Sequence, residues 1–357
     1  MLTPAYKLTF SQKAGDAGGV LGAATSVASA VGAGGGSGKV IDTTDEPKAS
    51  TITDLTVTLD LDTPADCFTL VMGNVGGFEP KRDDEVKIEL GYADNGDLVQ
   101  VMSGAVATVE PNLITTRVVG YSAFNAVLRE FIEQTYESKT TGAIVRDLAD
   151  KAGVEVATAE DGITFPAYVV DGRRSAYLHM QDLASLCGFD LYINSEGKLV
   201  FEKFTNGKTI HVFEFAKHIV ALDVERTAPK AGLVEAWGES PTGSKGDDAW
   251  PWLTTDFSGT KGSAGSGSLL LLERPALRTQ DAARTAANAT LTSIQRRTLR
   301  GCLLSLGRPE VKLGDAIRLS EMTDDSLNTT FQVRSVTHHI TKVGGFTTTI
   351  GFRAIEV

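Results

Sequence analysis

From Asp54 to Leu61 the chain alternates residue by residue: Leu55, Val57, Leu59 and Leu61 fall between Asp54, Thr56, Thr58 and Asp60. A period of two belongs to a β-strand with one buried and one solvated face. Further strand-like runs lie at Tyr6 to Phe10, Cys67 to Met72, Glu85 to Tyr92, Val99 to Val109 and Thr116 to Val119. Turn residues separate them, among them Pro64-Ala65-Asp66, Ala93-Asp94-Asn95-Gly96 and Glu110-Pro111-Asn112. Short strands punctuated in this way fold as antiparallel sandwiches or barrels. Residues 1–119 are therefore expected to form one such unit.

One segment breaks the series. Ala14 to Gly38 is mostly glycine and alanine, a composition with little to bury and a large ordering entropy. The simplest organisation is a hairpin whose turn this insert has replaced. Val20, Leu21, Val27 and Val31 make it too apolar for a plain linker, which suggests a loop that contacts a partner.

At Tyr121 the period lengthens. Phe124, Val127, Leu128, Phe131 and Ile132 follow Ser122 at helical spacing, and a serine there is a good N-cap. A second helix is expected over 141–152, stopped by Gly153, and a third from Ser175 to Cys187, closed by Gly188. A hairpin follows, Asp190 to Ile193 and Lys198 to Phe204, so 120–205 reads as a small α+β unit. From residue 206 to 357 strands return. They are interrupted by a polar loop over 240–268, which carries Trp250 and Trp252, and by an alanine-rich helix over 279–294.

The residues give little support for catalysis. A net charge of −11 argues against specific nucleic-acid binding and against an anionic membrane. No run approaches the length of a spanning helix, and residues 1–10 lack a secretory signal. The glycine-rich tract ending at Gly38-Lys39 is not a phosphate loop, because Ala33 and Val40 stand where glycine and Ser or Thr are needed. Cys67, Cys187 and Cys302 are widely spaced in apolar contexts and read as buried, inert thiols. The five histidines have no metal-binding spacing and read as surface or interface residues, with His338 and His339 on opposite faces of a strand. No nucleophile elbow or zincin helix is present. Trp250-Pro251-Trp252 reads equally as a sugar platform, a loop anchor or a protein contact. The expectation is a non-enzyme without cofactor or metal.

Several stretches together resemble a known family. They are Asp62-Thr63-Pro64-Ala65-Asp66-Cys67-Phe68, Gly91-Tyr92, Tyr177 to Leu191 leading into Gly197-Lys198-Leu199-Val200-Phe201, Leu313 to Leu319, and Phe331 to His338. In order and spacing they are similar to the phage late control D family, the hub proteins of contractile tails and of extracellular contractile injection systems. The hub half of VgrG is a more distant relative. The resemblance implies a mainly β fold, with two tube-like antiparallel β-barrel domains flanking a small α+β domain. It implies a homotrimer whose six barrels join inner tube proteins to a spike protein. Baseplate wedge components are implied as neighbours, with a cargo effector as a further partner. The sequence stops at Val357 with no OB-like or β-helical spike following, so the spike is expected to be a separate chain. Assembly is expected in the bacterial cytoplasm, within a tail or injection particle. A tail-associated cell-wall hydrolase and a free-standing β-rich binding protein are the alternatives from other classes.

Overall fold

The computed structural model describes residues 3–11, 39–44, 51–64, 66–74, 80–95, 97–206, 208–238, 240–241, 253–254 and 260–355. Strands hold 50% of the described residues and helices 18%, so the fold is mainly β.

The first seven strands are β1 (Pro4–Ser11), β2 (Lys39–Asp42), β3 (Ile52–Asp60), β4 (Cys67–Gly73), β5 (Glu85–Tyr92), β6 (Leu98–Pro111) and β7 (Thr115–Tyr121). They pair antiparallel in the order β3-β4-β7-β6-β5-β1-β2. In β3 the alternation holds, with Leu55, Val57 and Leu59 buried. β1 and β2 pair from Lys7 with Asp42 to Phe10 with Lys39. This is the expected hairpin; the segment 14–38, with Val20, Leu21, Val27 and Val31, lies outside the described residues.

Next come α1 (Phe124–Arg129), β8 (Gln134–Thr140), α2 (Thr141–Lys151), β9 (Val156–Ala159), β10 (Thr164–Val170), α3 (Ala176–Cys187), β11 (Asp190–Ile193) and β12 (Leu199–Glu202). The Thr140 hydroxyl accepts the Ala143 amide and starts α2, which buries Ile144, Val145, Leu148 and Ala149. α3 ends at Gly188 in the left-handed region (φ 70°), where glycine is unstrained. α1 is shorter than the spacing predicts. Glu130 is extended, so Ile132 points inward while Phe131 is exposed.

The chain returns to the sheet as β13 (Ile210–Glu214) and β14 (Ile219–Arg226). It then makes an excursion through β15 (Leu233–Trp237), β16 (Ser240–Pro241), β17 (Leu253–Thr254), β18 (Gly262–Gly265), β19 (Leu269–Glu273) and α4 (Gln280–Arg296). It closes with β20 (Leu299–Leu306), β21 (Ala316–Ser320), β22 (Thr330–Thr341) and β23 (Gly345–Ala354). Six of these strands follow one another as β13-β21-β22-β23-β20-β14. The two ends of that series, β13 and β14, are neighbours in sequence across a turn where the His218 ring accepts the Glu214 amide.

β22 joins the two rounds of strands. Its Thr330, Phe331 and Gln332 pair with β21, while Ser335 to Thr341 pair with β3. Thirteen strands thus share one sheet and one core, in which Leu8, Val57 and Phe68 meet Phe213, Phe331 and Val336. A second core unites α1, α2 and α3 with the excursion. Helix α4, placed by the sequence with the last β region, packs here. Its Ala282, Ala283, Ala286 and Ala287 are all buried, and such short side chains let backbones approach. A Cβ on Gly262 of β18 would lie 2.1 Å from the Arg284 nitrogen, so the strand lies directly on the helix. The divisions expected near 120 and 206 are therefore not those of the apolar cores. Trp250 and Trp252 lie outside the described residues.

Candidate functional site

Three of the stretches that carry the family resemblance meet where the sheet touches the helical insert. Asp62 follows β3 in a turn whose Asp60 carboxylate accepts the Asp62 amide at 2.7 Å. Asp190 opens β11, just beyond the left-handed stop of α3. Gln332 and Arg334 come from β22. The β22–β23 register shifts between Val333 and Ser335, and a bulge of this kind re-aims a side chain. Here the shift falls at Arg334, which carries its guanidinium to the insert.

That guanidinium donates from Nε to Asp62 Oδ2 at 3.2 Å and from Nη1 to Asp190 Oδ1 at 2.7 Å, with a further bond to Asp62 Oδ1. Gln332 donates to Asp190 Oδ2 and accepts from Arg353 Nε at 3.0 Å. Arg353 Nη2 stands 3.8 Å from Asp190 Oδ1. Burial opposes ionisation of Asp62, but the Arg334 hydrogen bond and charge hold its carboxyl below the usual range. Arg353 is pushed down to about 10, by burial and then by the neighbouring charge of Arg334. A buried ion cluster adds little net stability over an apolar core, because desolvation cancels most of the attraction.

Asp66, from the same stretch as Asp62, is also buried. Its Oδ1 accepts the Asp60 amide at 2.9 Å, while Oδ2 has no partner among the described residues. Burial raises its pKa to about 7.

The histidines depart from expectation. His179 and His338 are interior, not surface, residues. His338 Nδ1 lies 3.0 Å from Thr348 Oγ1, and burial pushes its pKa down to about 3, so it is a neutral core group. His339 points the other way, to Asp54 at 2.9 Å. Cys302 is exposed rather than buried, because Leu303 and Ser305 take the inward positions of β20. Cys67 and Cys187 are half-buried. Among the described residues no three His, Cys, Asp or Glu side chains gather where they could hold a metal ion.

Two cavities adjoin the charge cluster and share Asp62, Arg297, Arg300, Arg334 and Arg353. The smaller is about 640 Å³ and the larger about 940 Å³. The sheet also presents open edges. Among the described residues β2 pairs only with β1, and β14 only with β20. Each edge exposes an apolar side chain, Val40 on β2 and Val220 on β14. Unpaired edges of this kind are surfaces for other chains. Sequence reasoning found Asp62, Asp190, Gln332 and Arg334 only as parts of stretches, and it passed over Arg353 and Arg297.

The chain matches no protein-family model and no curated protein. Among solved structures it is similar to the 43 kDa tail protein of prophage MuSo2 from Shewanella oneidensis, with 13% identity, a TM-score of 0.67 and 98% of each chain covered. It is also similar to the tail protein from Neisseria meningitidis MC58, with 10% identity, a TM-score of 0.67, and 99% of this chain and 97% of that one covered. A third likeness is to the E. coli c3393 protein, a component of the type VI secretion system with structural similarity to the T4 bacteriophage tail proteins gp27 and gp5. There the identity is 9%, the TM-score 0.56, and 85% of this chain and 73% of that one are covered. At these identities the likeness is one of fold: the chain has the fold of phage tail proteins and of a type VI secretion component.

Proposed function

We propose that the chain is the structural hub of a contractile injection particle, an assembly part without chemistry of its own. Three copies form a ring of six barrel-like rounds that joins the inner tube to the spike. The hub of a true phage tail is the same ring in another particle. The observation that carries this reading is the sheet itself. One chain holds two successive rounds of strands, antiparallel except where β13 pairs with β21, fused at β22; among the described residues β2, β13 and β14 are each paired on one side only. A chain with two such rounds supplies six places from three copies, and its edges offer backbone donors and acceptors to the next copy. The full-length likeness to two tail proteins supports the same reading.

The test is mass in solution with imaging of the assembled ring. A trimer, alone or on addition of the spike and tube chains encoded alongside, is the expected result. A monomer that persists with both partners present overturns the ring. Turnover of purified peptidoglycan by this chain alone overturns the non-enzymatic reading.

A further inference from the structure

We propose that the larger cavity beside the charge cluster is a docking cleft for an acidic peptide segment of another protein in the assembly; that the partner is an assembly component rests on the hub reading, whereas the acidic chemistry rests on the cleft.

The chain carries a net charge of −11, yet this cavity runs against it. Its wall holds seven lysines and arginines but only two carboxylates, Asp62 and Asp190. Four of the seven cations are committed. Arg334 and Arg353 belong to the cluster, Arg296 Nε donates to the Ile355 carbonyl at 2.9 Å, and Arg300 pairs with Glu225 at 2.8 Å. The side chains of Arg297, Lys203 and Lys230 remain, with no hydrogen bond or ion pair among the described residues, although the Arg297 charge is felt by Asp62. All three are exposed. The adjoining smaller cavity brings Asp223 and Glu225 beside Arg300, so acidic groups bound the basic patch on that side.

Size and lining indicate what fits. A volume of about 940 Å³ lies in the range of pockets for compact ligands or a few peptide residues. Leu61, Phe189, Leu270 and Ile294 share the wall with the cations. A bare anion would leave that apolar surface wet, whereas a peptide carrying both carboxylates and aliphatic side chains covers both. Guanidinium groups bind carboxylates through paired donors, and Arg334 already does so with Asp62 in the same wall.

The experiment uses the full chain and a dye-labelled peptide of alternating glutamate and leucine, read by fluorescence anisotropy. Its controls are the lysine–leucine counterpart and inorganic phosphate as competitor. The acidic peptide is expected to bind, the basic one not, with affinity falling as salt rises. The double variant Arg297→Glu with Lys230→Glu is expected to lose roughly tenfold or more in affinity. Both positions are exposed, and an unchanged thermal melt confirms the fold. Failure of the acidic peptide to bind overturns the proposal, as does equal binding by the double variant. Displacement by millimolar phosphate overturns it in favour of a phosphate site. Solution mass is measured on the same samples. A trimer that ignores the peptide refutes the cleft and leaves the hub standing, whereas a chain that binds the peptide yet stays monomeric when the spike and tube chains are added refutes the hub and supports the cleft chemistry.

Discussion

Replacing Asp66 by asparagine isolates the cost of one buried carboxyl. The side chain is 1% exposed. Burial, joined by the charge of Asp60, raises its pKa from 3.8 to about 7 against the opposing Asp60 amide and Ser122 hydroxyl. Below pH 3.8 the group is neutral in both folded and unfolded chains and costs nothing. Between 3.8 and about 7 the unfolded chain ionises while the folded one stays protonated, so stability falls as pH rises. Each pH unit removes about 1.4 kcal/mol. Over roughly three units the loss is of order 4 kcal/mol, and it levels off above the folded pKa. Asparagine keeps the oxygen that accepts the Asp60 amide and never ionises. Its NH₂ and the hydroxyl of the protonated acid are alike in lacking an acceptor, so the two proteins should be close in stability near pH 4. The assay is urea unfolding of both proteins at half-unit steps from about pH 4 to about pH 8.5, where the difference cancels every other titration. The variant should gain on the wild type steadily and plateau near pH 7. A difference that is flat across that range refutes the argument, as does a variant less stable at pH 8.

Three further outcomes follow from packing and charge. Leu183→Ala, at a fully buried position of α3, should cost about 2–5 kcal/mol in denaturant unfolding and lower particle yield. Gly262→Ala forces β18 off α4, so limited proteolysis should cut the excursion over 227–298 faster, while the melt of the main sheet moves less. Arg334→Met removes the closest cation from the buried Asp190, leaving it only the more distant Arg353, and should cost roughly 3 kcal/mol; adding Asp190→Leu should recover part of that loss.

What was legible in the sequence was local. β3 shows itself because one face is core and the other solvent, and α2 because Ile144, Val145, Leu148 and Ala149 repeat at helical spacing. β8 was missed because Gln134 to Thr140 is nearly all polar and buries only Tyr136. The four leucines of β19 do not alternate, so no period marked them. Phe131 fitted a helical stripe, but the chain turns extended at Glu130, and no local signal announces that break. The charge cluster was out of reach for a different reason. Asp62 and Arg334 stand 272 positions apart, and nothing near either residue names the other. Asp62, Asp190 and Arg334 were visible only as members of stretches similar to a family, and Arg297 lay outside every stretch.

The divided strand β22 also dictates an order of events during synthesis. β3 leaves the ribosome early, but the partner for its second edge, Ser335 to Thr341, comes almost last. Until then a nascent chain carries an alternating, half-apolar strand with unpaired amides and carbonyls, the arrangement that seeds aggregation. Pairing so distant in sequence is slow, because a long loop must close before any contact rewards it. The first round of strands therefore cannot be finished as an independent N-terminal unit, and the chain folds late or not at all. A premature stop anywhere before residue 341 should yield an insoluble product, not a shorter folded one.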